Sequence, residues 1–289
     1  MDSLVSTGWL ADHLGDADLV ILDATKHLAA SGRDAGAEFL AGHIPGARFL
    51  NLADFADPAS SVGRTLPGPT HAAIRFSSLG LEPGSRVVLY DDSDVKTSAR
   101  AWFILRGYGI QRVAILDGGL AKWRAEGRPL EHGKTKGANS EFAPTDFAGA
   151  VRGKPHMLAN IASGEEQVID ARDAGRFTGE TPDTVHELPG GHIPGARHLF
   201  FRDLYNENGT FKSDSELRAA FDKSGLDLER PIVTSCGSGV TASVLLFALH
   251  RLGIEDAALY DGSWSEWGAD PATPKETGPG AWHASTSSA

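Results

Sequence analysis

Short apolar runs alternate with stretches of helical periodicity along most of the chain, and the alternation occurs twice. In the first half the runs are Leu19 to Leu22, Val87 to Tyr90 and Val113 to Leu116; in the second they are Val168 to Asp170, Ile232 to Ser235 and Ala257 to Tyr260. Continuous apolar strands separated by helices predict an α/β fold around a mainly parallel sheet covered on both faces. Val244, Leu245, Phe247, Ala248, Leu249 and Leu252 predict a largely apolar helix that ends at Gly253 and packs on the sheet. A matching helix is predicted from Ser98 through Trp102, Phe103, Ile104 and Leu105 to Gly107. Periodicity fades from Glu131 to Ala150, where Gly, Lys, Asn, Ser and Pro predict a linker wrapping one domain, and again near Pro271, where Pro, Gly, Ser and Thr predict a flexible tail. The expected organisation is a first domain over 1–130, a linker over 131–150, a second domain over 151–272 and a tail over 273–289.

The two halves are copies of one unit. Ala41-Gly42-His43-Ile44-Pro45-Gly46-Ala47-Arg48 recurs as Gly190-Gly191-His192-Ile193-Pro194-Gly195-Ala196-Arg197, an offset of 149 residues between the histidines. Upstream, Leu22-Asp23-Ala24 matches Ile169-Asp170-Ala171, and downstream Leu116-Asp117-Gly118-Gly119 matches Tyr260-Asp261-Gly262-Ser263. Laying Arg86 to Tyr90 over Pro231 to Ser235 brings Asp91 onto Cys236, so one copy keeps a thiol and the other has a carboxylate there. An internal repeat of this kind sets the architecture before any finer reading.

A length of 289 residues suits two domains of about 100–150 residues each. The single cysteine excludes an intrachain disulfide, no early apolar stretch resembles a signal peptide, and no apolar run approaches the roughly 20 residues of a membrane span, so a reducing cytoplasm is the expected compartment. A formal charge of −11 argues against nucleic acid or an anionic membrane as partner. If the substrate is anionic, loop amides and a few arginines must overcome that field locally.

Cys236 stands where a strand breaks into Gly237-Ser238-Gly239-Val240-Thr241 before a helix begins. Backbone N–H groups and the positive end of a helix dipole converge on such a position and favour the thiolate form. Gly237 and Gly239 permit positive φ and leave room for a substrate, while Ser238 and Thr241 add hydroxyls. A persulfide, being a diffuse anion, suits several amide donors better than one cation. A cysteine phosphatase would place an arginine six positions after the nucleophile, and here that residue is Ala242. His43 and His192 each lack a second ligand at metal spacing and are read as turn residues hydrogen-bonded to backbone; no metal and no cofactor are expected. Trp123, Trp264 and Trp267 are read as packing residues.

The tandem copies, the two Gly-His-Ile-Pro-Gly segments and the Cys236 loop resemble the two-domain rhodanese family of sulfurtransferases, and the neutral loop is similar to that of its 3-mercaptopyruvate-using members. Thiosulfate-preferring members carry basic residues directly after the cysteine, where Gly237 and Ser238 stand here. The resemblance implies two tandem rhodanese-like domains, the first non-catalytic and the second catalytic. It implies that Cys236 forms a persulfide, that Arg176 in Gly175-Arg176-Phe177 holds the donor carboxylate, and that Ser238 and His71 belong to a Ser-His-Asp relay that protonates the pyruvate enolate. Neither Asp54 nor Asp57 is assigned by spacing as its aspartate, and Arg172 is read as a structural ion pair. A second substrate arginine of those enzymes is missing: its position by spacing is Val185, followed by His186, which is expected to stand in for it when protonated.

The expected activity is ping-pong transfer of sulfur from 3-mercaptopyruvate through Cys236, with Gly237, Gly239, Val240, Thr241, Arg176 and His186 binding the donor. The acceptor would be a thiol, such as thioredoxin or a low-molecular-weight thiol, or cyanide, and the chain would act as a monomer. Two alternatives stay open: a thiosulfate-preferring enzyme, and a persulfide carrier or redox-sensing module that reacts once.

Overall fold

The computed structural model describes residues 1–63 and 65–280. The chain folds into two units: Met1–Ala59 with Leu66–Gly149 and Asn206–Phe211, and Ser60–Thr65 with Ala150–Tyr205 and the chain from Lys212 onward. The first holds strands β1 (Leu4–Val5), β2 (Leu19–Asp23), β3 (Arg48–Phe49), β4 (Arg86–Tyr90) and β5 (Val113–Leu116), with helices α1 (Thr7–Asp12), α2 (Ala35–Ala41), α3 (Pro69–Ser78), α4 (Ser98–Gly107) and α5 (Gly119–Ala125). The second holds β6 (Val151–Arg152), β7 (Gln167–Asp170), β8 (Arg197–His198), β9 (Ile232–Ser235) and β10 (Ala257–Tyr260), with α6 (Lys154–Ser163), α7 (Ala174–Thr178), α8 (Asp214–Lys223), α9 (Ala242–Arg251) and α10 (Ser263–Trp267).

Each unit is built on a five-stranded parallel sheet, in the order β1-β5-β4-β2-β3 and β6-β10-β9-β7-β8. The six predicted strands are all present within a residue of their expected limits, because each is buried on both faces and reads as an unbroken apolar run. The four two-residue strands are too short to carry a periodic signal. Helices α4 and α9 are buried on almost every side, which explains their nearly all-apolar sequences. The core of the first unit gathers Val5, Leu10, Ile21, Val88, Leu116 and Trp123, and that of the second Met157, Val168, Phe177, Val233, Trp264 and Trp267. All three tryptophans are buried with their indole N–H donated to a proline carbonyl, on Pro129, Pro189 and Pro274.

Both histidines of the repeated octet are tied to backbone: His43 Nδ1 meets the Phe39 carbonyl at 2.7 Å and His192 Nδ1 the Phe177 carbonyl at 2.9 Å, each ring stacked on that phenylalanine. The chain closing each copy then returns to the octet. Glu131 pairs with His43 and its carboxylate accepts the Gly46 N–H, and Glu276 does the same for His192 and Gly195. Both segments beyond the clasps are held by the unit they close, the first as expected and the second against expectation. The expected linker 131–150 lies along the first unit, with Ser140 and Phe142 bonded to Ser77 and Ala148 to Gly107. The expected tail begins as fixed structure: Thr273 is buried, and Glu276 and Gly278 bond to His192 and Thr178. Residues 281–289 of that tail lie outside the described residues. Among the described residues no helix is long and apolar enough to cross a membrane.

The copies differ most in charge at the C-terminal end of their central strands. Asp23 is buried beside Asp91, held by the N–H and hydroxyl of Thr25 and by the Tyr90 hydroxyl but by no cation, and burial pushes its carboxyl up to about 6. A carboxyl raised in the folded state keeps its proton there while the unfolded chain loses it, so stability falls as pH rises from about 4 to 6 and stays lowered above. Asp23→Asn is therefore expected to stabilise the protein by about 2–3 kcal/mol at pH 7.5 and by nothing below pH 4. Thermal melts of the two proteins across that range check it.

Candidate active site

Strand β9 is central in its sheet, and the connections leaving β7 and β9 run to opposite sides, which opens a crevice at their C-terminal ends. Cys236 follows β9 directly and is buried. Its loop passes through Gly237, Ser238 and Gly239, also buried, and through half-buried Val240 and Thr241 into α9. Gly239 has φ 77, as the sequence led one to expect, but Gly237 is not in the left-handed region. Its reason is contact: a Cβ there would lie 2.0 Å from Cε1 of His186. The imidazole of His186 thus meets the residue after Cys236 with its Cε1 edge, its two nitrogens equidistant from that point.

Two of the loop amides are spent on structure. The N–H groups of Cys236 and Gly239 both donate to the Ser263 hydroxyl at 3.2 Å, which in turn donates to the Tyr260 carbonyl at 2.8 Å. Ser263 holds φ 49, a conformation that glycine adopts at the matching Gly119. The N–H groups of Gly237, Val240 and Thr241 have no acceptor among the described residues and remain for a ligand. In the first unit the equivalent loop satisfies itself: Asp91 accepts the N–H of Ser93 at 2.9 Å and of Ser98 at 2.8 Å. The amides of Asp92, Val95 and Lys96, which match those of Gly237, Val240 and Thr241, are also taken, by the Thr25 hydroxyl and by the hydroxyl and carbonyl of Ser93, so none is left for an anionic sulfur.

Under the Cys236 loop lies a buried set of charges. Arg172, at the end of β7, binds both oxygens of Asp170 and the Gly191 carbonyl, faces Asp183 at 3.5 Å and lies over the Trp264 ring at 4.6 Å. Burial opposes its charge, but Asp170, Asp183 and the Cys236 sulfur together keep it above the ordinary arginine value. Arg176 in α7 bonds Asp173 at 2.5 Å and Asp183 at 3.4 Å, and its side chain keeps 19% exposure. Asp183 also accepts from His186 Nδ1 at 2.9 Å. Its burial would raise the carboxyl, yet the His186 hydrogen bond and the charges of His186, Arg176 and Arg172 hold it at about 2.

Of the residues singled out from sequence, Cys236, Gly237, Ser238, Gly239, Val240 and Thr241 form one loop, and His186 and Arg176 meet at Asp183 beside it. His71, on α3, bonds the backbone carbonyl of Asp54 at 2.7 Å, so Asp54 reaches it through its carbonyl rather than its carboxylate. Asp183 and Ser263 were not singled out. For Asp183 a signal was available in its position three residues before His186; for Ser263 none was, since the contact spans 27 residues.

A family model for the rhodanese-like domain matches residues 6–126 and again 155–270. The chain belongs to the rhodanese family. It is 38% identical over 275 residues to the 3-mercaptopyruvate sulfurtransferase of Escherichia coli strain K12, covering 94% of this chain and 97% of that one. It is also 35% identical over 271 residues to the thiosulfate sulfurtransferase of Gallus gallus, covering 92% and 93%. The crystal structure of SseA from E. coli, a 3-mercaptopyruvate sulfotransferase, superimposes with a TM-score of 0.84 at 36% identity over 91% of this chain and 99% of that one. Two rhodanese domains thus account for nearly the whole sequence.

Two expectations follow from this geometry. Gly237→Ala must drive the His186 ring away from Asp183 and should slow sulfur loading of Cys236 by about 10²-fold while lowering the melting temperature, because the buried Asp183 loses its hydrogen bond from His186; the imidazole nitrogen shifts of His186 report the displacement directly. Asp183→Asn removes a carboxyl held below its ordinary value, whose stabilisation is present above pH 4 and lost as pH falls through 2. The variant should lose about 2 kcal/mol at neutral pH and show a flatter stability profile between pH 4 and 2 in denaturant melts.

Proposed function

We propose that this rhodanese is a sulfurtransferase that takes sulfur from 3-mercaptopyruvate onto Cys236 and passes it to a thiol, such as thioredoxin or a low-molecular-weight thiol, or to cyanide. The observation that carries the reading is the lone thiol at the C-terminal end of β9, in a loop whose Gly237, Val240 and Thr241 amides have no acceptor among the described residues. Several weak donors around one sulfur match a persulfide, whose charge is spread over large atoms, better than a compact oxyanion. The identity to 3-mercaptopyruvate sulfurtransferases over nearly the whole chain supports the same donor.

Thiolate attack on the donor sulfur forms the S–S bond and breaks the C–S bond, leaving a pyruvate enolate that takes up one proton. Arg176 offers the donor carboxylate a guanidinium, released from Asp173 and Asp183 as the anion binds. Ser238 and His71 are carried over as relay residues on their match to the family pattern alone. Thiosulfate is the second reading, favoured by Val185 and His186 in place of the second substrate arginine and by the likeness to the chicken enzyme.

Brief incubation with 3-mercaptopyruvate should add one sulfur atom to the intact protein, a thiol chase should remove it, and Cys236→Ser should take up none. Intact-protein mass spectrometry reads all three states. Undiminished transfer by Cys236→Ser would sink the persulfide reading; uptake from thiosulfate alone would move the donor to the second reading, and a single uptake without turnover would leave a carrier.

A further inference from the structure

Among the buried polar atoms around Cys236, His186 Nε2 is the one without a counterpart: Arg172 Nη1 and Asp183 Oδ2, which also lack a hydrogen bond, face each other at 3.5 Å. The other ring nitrogen is committed, since Nδ1 donates to Asp183 at 2.9 Å. That bond fixes the ring, so Nε2 is bare in the neutral imidazole and an N–H donor in the imidazolium. A polar atom left unsatisfied in a shielded place normally has a partner that arrives later. Its place is decided by Gly237, against which the ring packs, with Nε2 itself 2.8 Å from where a Cβ would stand. The atom therefore lies against the residue that directly follows Cys236.

The charges around it give the imidazolium a role. Arg172 and Arg176 oppose Asp170, Asp173 and Asp183, two positive groups against three negative, and Glu187 adjoins His186 in the chain. An anionic donor meets a net negative set unless His186 carries a proton. The proton also matters to the chemistry: the enolate released from 3-mercaptopyruvate must be protonated, a step for which Ser238 and His71 rest on the family match alone, whereas sulfite released from thiosulfate leaves as a stable anion.

We propose that His186 is the catalytic acid of the 3-mercaptopyruvate half-reaction, held by Asp183 as its positioning residue; this rests on the sulfur-transfer reading above. The Cys236 thiolate attacks the donor sulfur, the S–S bond forms as the C–S bond breaks, and the electron pair of that bond goes to the methylene carbon of the enolate. His186 Nε2–H delivers its proton to that carbon, giving pyruvate and a neutral imidazole, which is protonated again from water before the next donor binds. No oxidant or reductant is consumed beyond the donor itself: the methylene carbon gains two electrons as it becomes the methyl of pyruvate, and the cysteine and transferred sulfurs give up one each as the S–S bond forms.

The test is single-turnover sulfur loading of the full chain from each donor, in the wild type, His186→Gln and His186→Arg, with melting temperatures in parallel. The expected result is a fall of about 10²-fold or more in the ratio of the 3-mercaptopyruvate rate to the thiosulfate rate for His186→Gln. His186→Arg, which keeps a cation but does not release a proton, should show the same fall. An unchanged ratio, an equal loss with both donors, or recovery of the 3-mercaptopyruvate rate in His186→Arg overturns the assignment, the last two pointing to packing and to charge. A wild type that gains no sulfur from 3-mercaptopyruvate overturns the sulfur-transfer reading, and this inference with it.

Discussion

The guanidinium of Arg172 keeps 1% of its surface exposed, and the second unit is organised around keeping that charge satisfied. Burying an unpaired cation costs several kcal/mol, so each group that meets it is fixed by the need. Asp170 ends β7, Gly191 is the second residue of the octet, Asp183 lies between them, and Trp264 is the second residue of α10. Four segments distant in sequence are thereby drawn to one point beneath the Cys236 loop. Because Arg172 occupies one oxygen of Asp183, the other is left for His186 and Arg176, which puts both next to the loop.

The first copy shows what the same sheet does without that charge. Thr25 stands where the second copy has Arg172, so Asp23 is buried with hydrogen bonds only and its carboxyl rises to about 6. Asp91, in the cysteine's place, takes two amides of its own loop. Backbone and core are shared between the copies, while the electrostatics at the strand ends are not. Function in this family is thus separable from fold at a handful of positions. The formal charge of −11 fits this arrangement, since the groups this unit offers to an anion are amides and guanidiniums that act over a few ångströms rather than a long-range field.

Much of this was legible in the chain because it is written locally. Buried parallel strands are unbroken apolar runs, and a duplicated octet announces the two units without any knowledge of which residues touch. The Cys236 loop reads as a strand, a thiol and two glycines in one short stretch. What stayed hidden depends on pairs far apart in sequence: Gly237 against His186, Ser263 under Cys236 and Gly239, and the Glu131 and Glu276 clasps that extend each copy past its expected end. Gly237 is the instructive case. Its glycine is expected from sequence to serve a positive φ, when the constraint is an imidazole arriving from 51 residues upstream.

Local costs also mark the catalytic copy. Ser263 holds a left-handed backbone that the other copy gives to Gly119, and gains only the hydroxyl that takes the amides of Cys236 and Gly239. His186 keeps a buried nitrogen without a partner. A chain selected for stability alone would use glycine at the first site and an apolar residue at the second. Both departures from local rules surround one loop: His186 packs on Gly237, and the Ser263 hydroxyl takes the amides of Cys236 and Gly239. Such costs persist where the folded state is compensated elsewhere, here by the Arg172 network and the nearly all-apolar helix α9 behind the loop. The amides that remain open at Gly237, Val240 and Thr241 complete the same argument, because a loop that satisfied all its donors would become what the first copy already is, a closed turn around its own carboxylate.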